Sequence, residues 1–578
     1  MKKYTVYSFA ILFLLLGIDR AAAQKTDDNI GTEVVNVVKP YSPTISDAFK
    51  VKEIPSLDDE ETSKKEPIAY HIYSFPVAST FAPAKGKAAR VEKTPSDTLY
   101  ANYMTLAAGN LGTVNAELFV TQNISNTDYF GGMLRHNSSQ GGVKGAQLDD
   151  KYFNTCLDLT YGSRTHKLSW NADASYLNQI YNWYGVYPGL LTDAALADIN
   201  PKQTYNTLKL GGRIALGESF LKESSLQYTR FWDGYASSEN RVVAKPTMVF
   251  DLKAQQIRTD FVIDYLGGTF DKFYFGGSGY TYGYTNIGAQ PSIAIHKDEL
   301  SARIGVGFFY SAAQAAGESK FFIYPQVTGS YKIVGDLMIL YAGLEGALHQ
   351  NSYHDFVQDN FFVSPTLGIA PTNQKYDVYL GLKGKLASGV SYTVRGSYKN
   401  EDNKAMFKSN GYDDSSANTA GYTFSNSFNV VYDNVKTMSL YGELKADFSK
   451  NVTFGVQGTF SSYTLDGQAE AWNLPALQMN ASVDVNITPK WYAGGSLFFV
   501  GERKDQFIHS SLLTSYPIEN ITLKSYFDAN AHVGYKYSER LTFFLKGNNL
   551  ASQNYQRWLN YPVQGLQVVA GASYKFDF

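Results

Sequence analysis

The sequence predicts an all-β chain: a transmembrane antiparallel β-barrel of about 22 strands, preceded by a mostly irregular N-terminal segment. Three observations carry this. Apolar and polar residues alternate with period 2 over segments of about 10 to 15 residues, longer than the ~5–6 of sandwich strands. Tight turns alternate with longer loops, as expected when the two ends of a barrel face different compartments. The chain ends on one more alternating strand, closing at Phe578.

Composition narrows the field first. The 578 residues carry a formal net charge of −2, and no basic face is evident for nucleic acid. Charged residues make up 18%, below the ~25% of soluble domains, while aromatics reach 15%, with 44 Tyr and 36 Phe. Such a chain is too apolar to be disordered. The single cysteine, Cys156, excludes an internal disulfide framework and a Cys-rich metal site. Beyond the N-terminus no apolar run reaches the ~18 residues of a membrane helix.

Residues 1–23 read as a secretory signal. Lys2 and Lys3 supply the positive start, Ala10–Gly17 a short apolar stretch, and Ala21 and Ala23 an A-x-A site, with cleavage after Ala23. Residues 24–97 form a proline-rich segment holding 7 of the 18 prolines, a composition that breaks both helices and ladders. The barrel is expected over 98–578. In Met438–Phe448, Met438, Leu440, Leu444 and Phe448 alternate with Ser439, Tyr441, Glu443, Lys445 and Asp447. The pattern recurs from Val452, from Leu477 and from Leu300. Tight turns are expected near Asn126, Arg164, Phe220, Ala254, Lys297, Gly335, Ser388, Lys450, Pro489 and Glu539, with eleven connections at the other end. A soluble sandwich would bury the apolar faces between sheets; a barrel turns them to lipid and keeps the polar faces in the lumen.

The last strand places Leu566, Val568, Ala570, Ala572, Tyr574, Phe576 and Phe578 on one face. An aromatic-alternating end with a terminal Phe resembles the C-terminal signal of bacterial outer-membrane barrels. Gly547-Asn548-Asn549-Leu550, Asn554-Tyr555, Tyr561-Pro562 and Gly565 before that strand resemble the C-terminus of TonB-dependent receptors. Leu566 departs from the pattern, since the family usually carries Arg there. The Tyr-rich style and the Lys39-Pro40-Tyr41 leader resemble Bacteroidota proteins. The resemblance implies a 22-stranded barrel in the outer membrane, contact with outer-membrane lipid, a TonB-like periplasmic partner and uptake of a scarce solute such as a siderophore or glycan.

The family also carries a folded plug inside the barrel, and residues 24–97 are short and proline-rich for one. They are expected to act as a reduced plug, entering the lumen with Tyr70–Val77 as the most ordered piece; inward-turned loops or a partner protein are the other candidate fillers. The nearest match to a TonB box is Glu33, Val34, Val35, Val37 and Val38, a run able to add as a strand to a partner sheet.

Catalytic constellations are scarce. No G-x-S-x-G elbow occurs, Gly276–Gly279 is not followed by a helix, and His349 and His354-Asp355 read as loop residues rather than metal ligands. A non-enzymatic protein without cofactor or metal is therefore expected. Aromatic residues of the outward loops are the candidate ligand contacts, since such rings stack on sugar or chelate faces: Tyr181, Trp183, Tyr184, Tyr187, Phe273, Tyr274, Tyr280, Phe361 and Phe362. Packing of loop on loop at the barrel mouth is the competing role for these rings. The leading reading is solute uptake; the rival is a non-transporting structural or assembly barrel within an outer-membrane complex, with partner subunits or a surface lipoprotein.

Overall fold

The computed structural model describes residues 100–252, 255–274, 278–314, 317–412, 420–508 and 518–578. The signal, its cleavage after Ala23, the 24–97 leader and the Glu33–Val38 segment lie outside the described residues. Everything below belongs to the unit Thr94–Phe578.

Twenty-two antiparallel strands close into one barrel. The first, β1 (Asn102–Gly109), pairs along its whole length with the last, β26 (Gln567–Phe576), from Asn102↔Phe576 to Gly109↔Val569. Closure leaves no edge, the condition for a sheet in lipid. Between them each wall strand pairs with its sequence neighbours, with two interruptions. After β19 (Trp491–Val500) the chain leaves the wall as a separate hairpin, β20 (Arg503–Ile508) with β21 (Ile518–Leu523), and returns as β22 (Tyr526–Lys536). A second loop hairpin, β24 (Gln556–Trp558) with β25 (Tyr561–Pro562), follows β23 (Leu541–Asn548).

Nine of the ten tight turns fall where the sequence places them; the tenth, expected near Ala254, lies outside the described residues, and both chain ends of the barrel lie at the turn end. Gly335 shows why such a turn selects its residue: its φ of +48° is in the left-handed region, which costs glycine nothing. The wall is uneven in height, from 8 residues in β1 and β23 to 22 in β16 (Phe428–Ser449).

Side chains confirm the direction of the faces. Met438 and Leu440 are 62% and 57% exposed on the outside, whereas Ser439 between them turns inward to bond Ser461 (Oγ–Oγ 2.9 Å). The same outward exposure holds for Leu106, Ile304, Phe460, Ile487 and Tyr574. Such a continuous apolar exterior is stable only against acyl chains. The polar faces line the lumen, where Arg395 bonds Asp377 (2.7 Å) and lies over the Tyr379 ring, 3.9 Å from its centroid.

Candidate functional site

The long loops turn inward and build a second core across the barrel mouth. Tyr205, Phe231, Leu266, Phe270 and Tyr282 from one wall and Phe428 and Val430 from another join Tyr353, Phe356, Val357, Val363, Phe507 and Tyr561 from the loops, all buried. Inward-turned loops are thus one filler of the mouth. Aromatic pairs add to area burial here by roughly 0.5–1.5 kcal/mol each.

One half of this lid is the short helix Tyr353–Asp359. Ser352 starts it, its hydroxyl accepting the Asp355 N–H at 3.0 Å. Wall carboxylates hold the start of the helix. Glu239 accepts the Tyr353 and His354 N–H groups at 2.7 and 3.2 Å and the Tyr282 hydroxyl at 2.7 Å. The Tyr353 hydroxyl donates to Asp233 at 2.8 Å. Arg241 completes the latch: it donates twice to Asp264 (2.9 and 2.7 Å) and once to Asp355 (2.9 Å). Burial pushes the Asp355 carboxyl up, but the His354 hydrogen bond and the Arg241 charge outweigh it and hold the group at about 2.

The other half comes from the last loop and the β20–β21 hairpin. Phe362 stacks on Tyr561 (3.7 Å, 19°), whose hydroxyl donates to the Asn426 carbonyl. The Tyr184 hydroxyl donates to the Pro562 carbonyl at 2.8 Å. Arg503 donates to the Gln556 carbonyl at 2.7 Å and to the Arg557 carbonyl, joining the two hairpins. Asp505 is fully buried; burial pushes it up to about 6 against three hydrogen bonds, from Asn473, the Ser409 N–H and the Gln506 N–H.

A cavity of about 470 Å³ opens between this lid and the wall around the seam, lined by Tyr152, Asn154, Tyr181, Tyr184, Phe361, Phe362, Asp528, Tyr555 and Arg557 among others. Its size is that of a small-molecule site. Four of the nine predicted aromatics meet there: Tyr181, which stacks on Phe361 (3.9 Å, 11°), with Tyr184 and Phe362. The other five are elsewhere. Trp183 and Tyr274 are buried against Tyr422. Tyr187 stacks on Phe507 (4.4 Å), Tyr280 packs on Phe270 (5.4 Å), and Phe273 is exposed. The two loop histidines are separated: His349 meets Gln374 at 3.2 Å, while His354 meets Asp355 at 3.0 Å. Among the described residues no three ligand-type side chains form a metal-binding group.

Sequence reading missed Tyr152, Asn154, Asp528, Tyr555 and Arg557. The first three sit on lumen faces of strands, so alternation placed them inside without marking them as a site. The C-terminal motif has a structural part here: Asn549, at φ +47°, donates to the Gln553 and Gln564 carbonyls (2.8 and 2.9 Å) and fixes the base of the last loop.

No family model matches the chain, and no curated protein matches it. Solved structures do. The FrpB iron transporter from Neisseria meningitidis (F3-3 variant) superposes with a TM-score of 0.63 at 11% identity, over 83% of this chain and 82% of that one. The siderophore receptor PirA from Acinetobacter baumannii gives 0.60 at 14%, over 82% and 80%. The ferripyoverdine receptor of the outer membrane of Pseudomonas aeruginosa gives 0.60 at 11%, over 84% and 72%. The likeness is one of fold, a closed barrel of antiparallel strands. The 22 strands and their order agree with the architecture that the C-terminal motif implies.

Proposed function

We propose that this chain is an outer-membrane receptor that binds a solute in the mouth cavity and passes it inward with the help of a TonB-like periplasmic partner. The observation that carries the reading is a receptor-type barrel whose mouth is closed by its own loops around a cavity, with one of the cavity walls, Phe361–Phe362, on the same loop as the latched helix. A solute touching Phe361 therefore touches the element that must move for passage. The Glu33–Val38 run is the proposed partner contact, adding as a strand to a periplasmic sheet. The protein does no chemistry on the solute in this reading; it binds and gates.

The test is genetic and direct. Loss of the protein should slow growth when iron or a polysaccharide is limiting and leave rich-medium growth and envelope integrity unchanged. Deleting residues 31–38 should abolish accumulation while leaving solute binding to cells intact. General envelope damage without a nutritional defect would refute uptake and favour the assembly role.

A further inference from the structure

The lipid-facing wall carries a hollow. On β5 (Leu168–Asn182), β6 (Lys202–Leu216) and β7 (Leu221–Asp233) a groove of about 620 Å³ opens on the outside of the barrel. Leu210, Ile214 and Leu226 line it and are 45%, 37% and 57% exposed, which fixes its outward direction. The register explains the shape. Three outward rows cross the strands: Trp170–Ile214–Ser224, Ala172–Gly212–Leu226 and Ala174–Leu210–Tyr228. In the middle row two adjacent strands present only a methyl and a hydrogen, so the β6 backbone is the floor. The upper rim is held by the Tyr228 hydroxyl, which donates to Asn240 at 2.8 Å. The outer rows are four residues apart, about 13 Å at ~3.3 Å per residue, close to the ~15 Å of one leaflet's hydrocarbon. The lower row lies close to the turn end, which is periplasmic in barrels of this class.

The foot of the groove is polar and basic. The Trp170 indole N–H and the Ser224 hydroxyl line the groove and meet no acceptor among the described residues. Trp170, its ring 5.7 Å from that of Tyr161, marks the bilayer–water boundary. Directly below, the turns before β5 and before β7 lie side by side, the Gly217 N–H donating to the Lys167 carbonyl at 3.0 Å. Lys167 meets the exposed Glu218 at 3.7 Å, while Lys222 donates only to the Gly217 carbonyl at 3.3 Å. Glu223 pairs instead with Arg213 (3.3 Å). Two lysines thus stand against one free-standing carboxylate under the groove. A plain hydrocarbon would leave both donors and this charge unanswered. A phospholipid brings an acyl chain, ester carbonyls that accept hydrogen bonds, and an anionic headgroup at the water boundary.

We propose that this groove binds one anionic glycerophospholipid of the periplasmic leaflet, an acyl chain lying over Gly212 and the headgroup held by Lys222 and Lys167. The inference needs only the barrel in a bilayer and is independent of solute uptake. The test is native mass spectrometry of the full mature chain, delipidated in detergent and titrated with phosphatidylglycerol or, separately, phosphatidylcholine of the same chains. One phosphatidylglycerol should bind saturably, about tenfold or more tighter than phosphatidylcholine. Lys167→Gln combined with Lys222→Gln should remove that preference. Ala172→Leu, which fills the middle row, should weaken both lipids about tenfold, and the same substitution at Ala481 on β18 (Leu477–Asn486) should change neither. Ser224→Ala, which loses the donor without filling the groove, should weaken phosphatidylglycerol about threefold and covers the case in which the leucine variant fails to fold. Unsaturable binding blind to headgroup, or equal binding by the wild type, Ala172→Leu and Ser224→Ala, would overturn the site. A preference that survives loss of both lysines would overturn the placement of the headgroup.

Discussion

Replacing Arg241 with Gln should unlatch the lid. Arg241 bonds two, Asp264 and Asp355, of the four carboxylates around the helix start, and its side chain is 22% exposed; Asp264 beside it is 11% exposed. Removing one partner of a buried pair costs roughly 3–5 kcal/mol because the remaining charge stays buried. Asp355 is 48% exposed and solvent will screen its share, so the lower part of that range applies, about 3 kcal/mol. This raises the population of the undocked helix by a factor of about 100. Hydrogen exchange reads it directly. The Phe356 and Asn360 amides, bonded to the Ser352 and Phe356 carbonyls, should lose about two orders of magnitude of protection. Amides at the far end of β16, Leu440–Ala446, should keep theirs. Asp355→Asn alone should cost only about 1 kcal/mol, since Arg241 retains Asp264. A loss of protection under threefold in Arg241→Gln would refute the latch, and equal losses in the lid and the wall would show that the residue holds the barrel rather than the loop.

Three further outcomes follow from the same geometry. Gly185→Ala would place a Cβ 2.3 Å from the Tyr561 ring, which is itself pinned by Phe362 and Asn426; binding to the cavity should fall with little change in barrel melting. The two halves of the lid should respond to pH with opposite signs. Asp355 has a folded pKa depressed to about 2, so its contribution is full above the unfolded value near 4 and is lost as pH falls toward 2; exchange at the helix should quicken on acidification. Asp505 is raised to about 6, so the folded hairpin is favoured below the unfolded value and loses up to about 3 kcal/mol as pH rises through 6; exchange in β20 and β21, corrected for intrinsic rates, should quicken from pH 4 to 7, and Asp505→Asn should flatten that dependence.

The barrel was legible because its physics is local and repeated. Alternation at Met438–Phe448 states which side of one strand meets lipid, and the same statement recurs around the wall, so ten turns and a closing strand fix the count. The lid was less legible because no such repetition exists there. Tyr181, Trp183, Tyr184 and Tyr187 look equivalent in the sequence, yet the fold gives them different partners: Phe361 for the first, Tyr422 for the second, Pro562 for the third and Phe507 for the fourth. Those partners all lie hundreds of positions away, up to 378 for Tyr184 and Pro562, and depend on which loops cross the lumen. The carboxylates were hidden differently. Asp233 and Glu239 flank an ordinary strand turn, and only the arrival of a helix start from residue 352 makes them an anchor.

In the receptor reading, that arrangement would let a cavity and a gate share few residues and still act together. Phe361 and Phe362 wall the cavity, and Asn360, whose N–H closes the helix on the Phe356 carbonyl at 2.9 Å, sits directly before them. The helix then runs back to Arg241 and Glu239. A guest that prefers a shifted Phe361 pulls on a segment of nine residues between ring and latch, too short and too well bonded to absorb the shift as slack. The energy a guest can deliver to the gate is limited to its preference between the two loop positions, so a guest that contacts only the wall would bind without opening anything. Coupling must therefore pass through the Tyr181–Phe361 stack. Phe361→Leu, which keeps an apolar contact but loses the stack on Tyr181, should leave the affinity of the wall contacts within about tenfold and reduce the guest-induced change in helix exchange to near zero. Retention of that change in Phe361→Leu would place the coupling elsewhere in the lid.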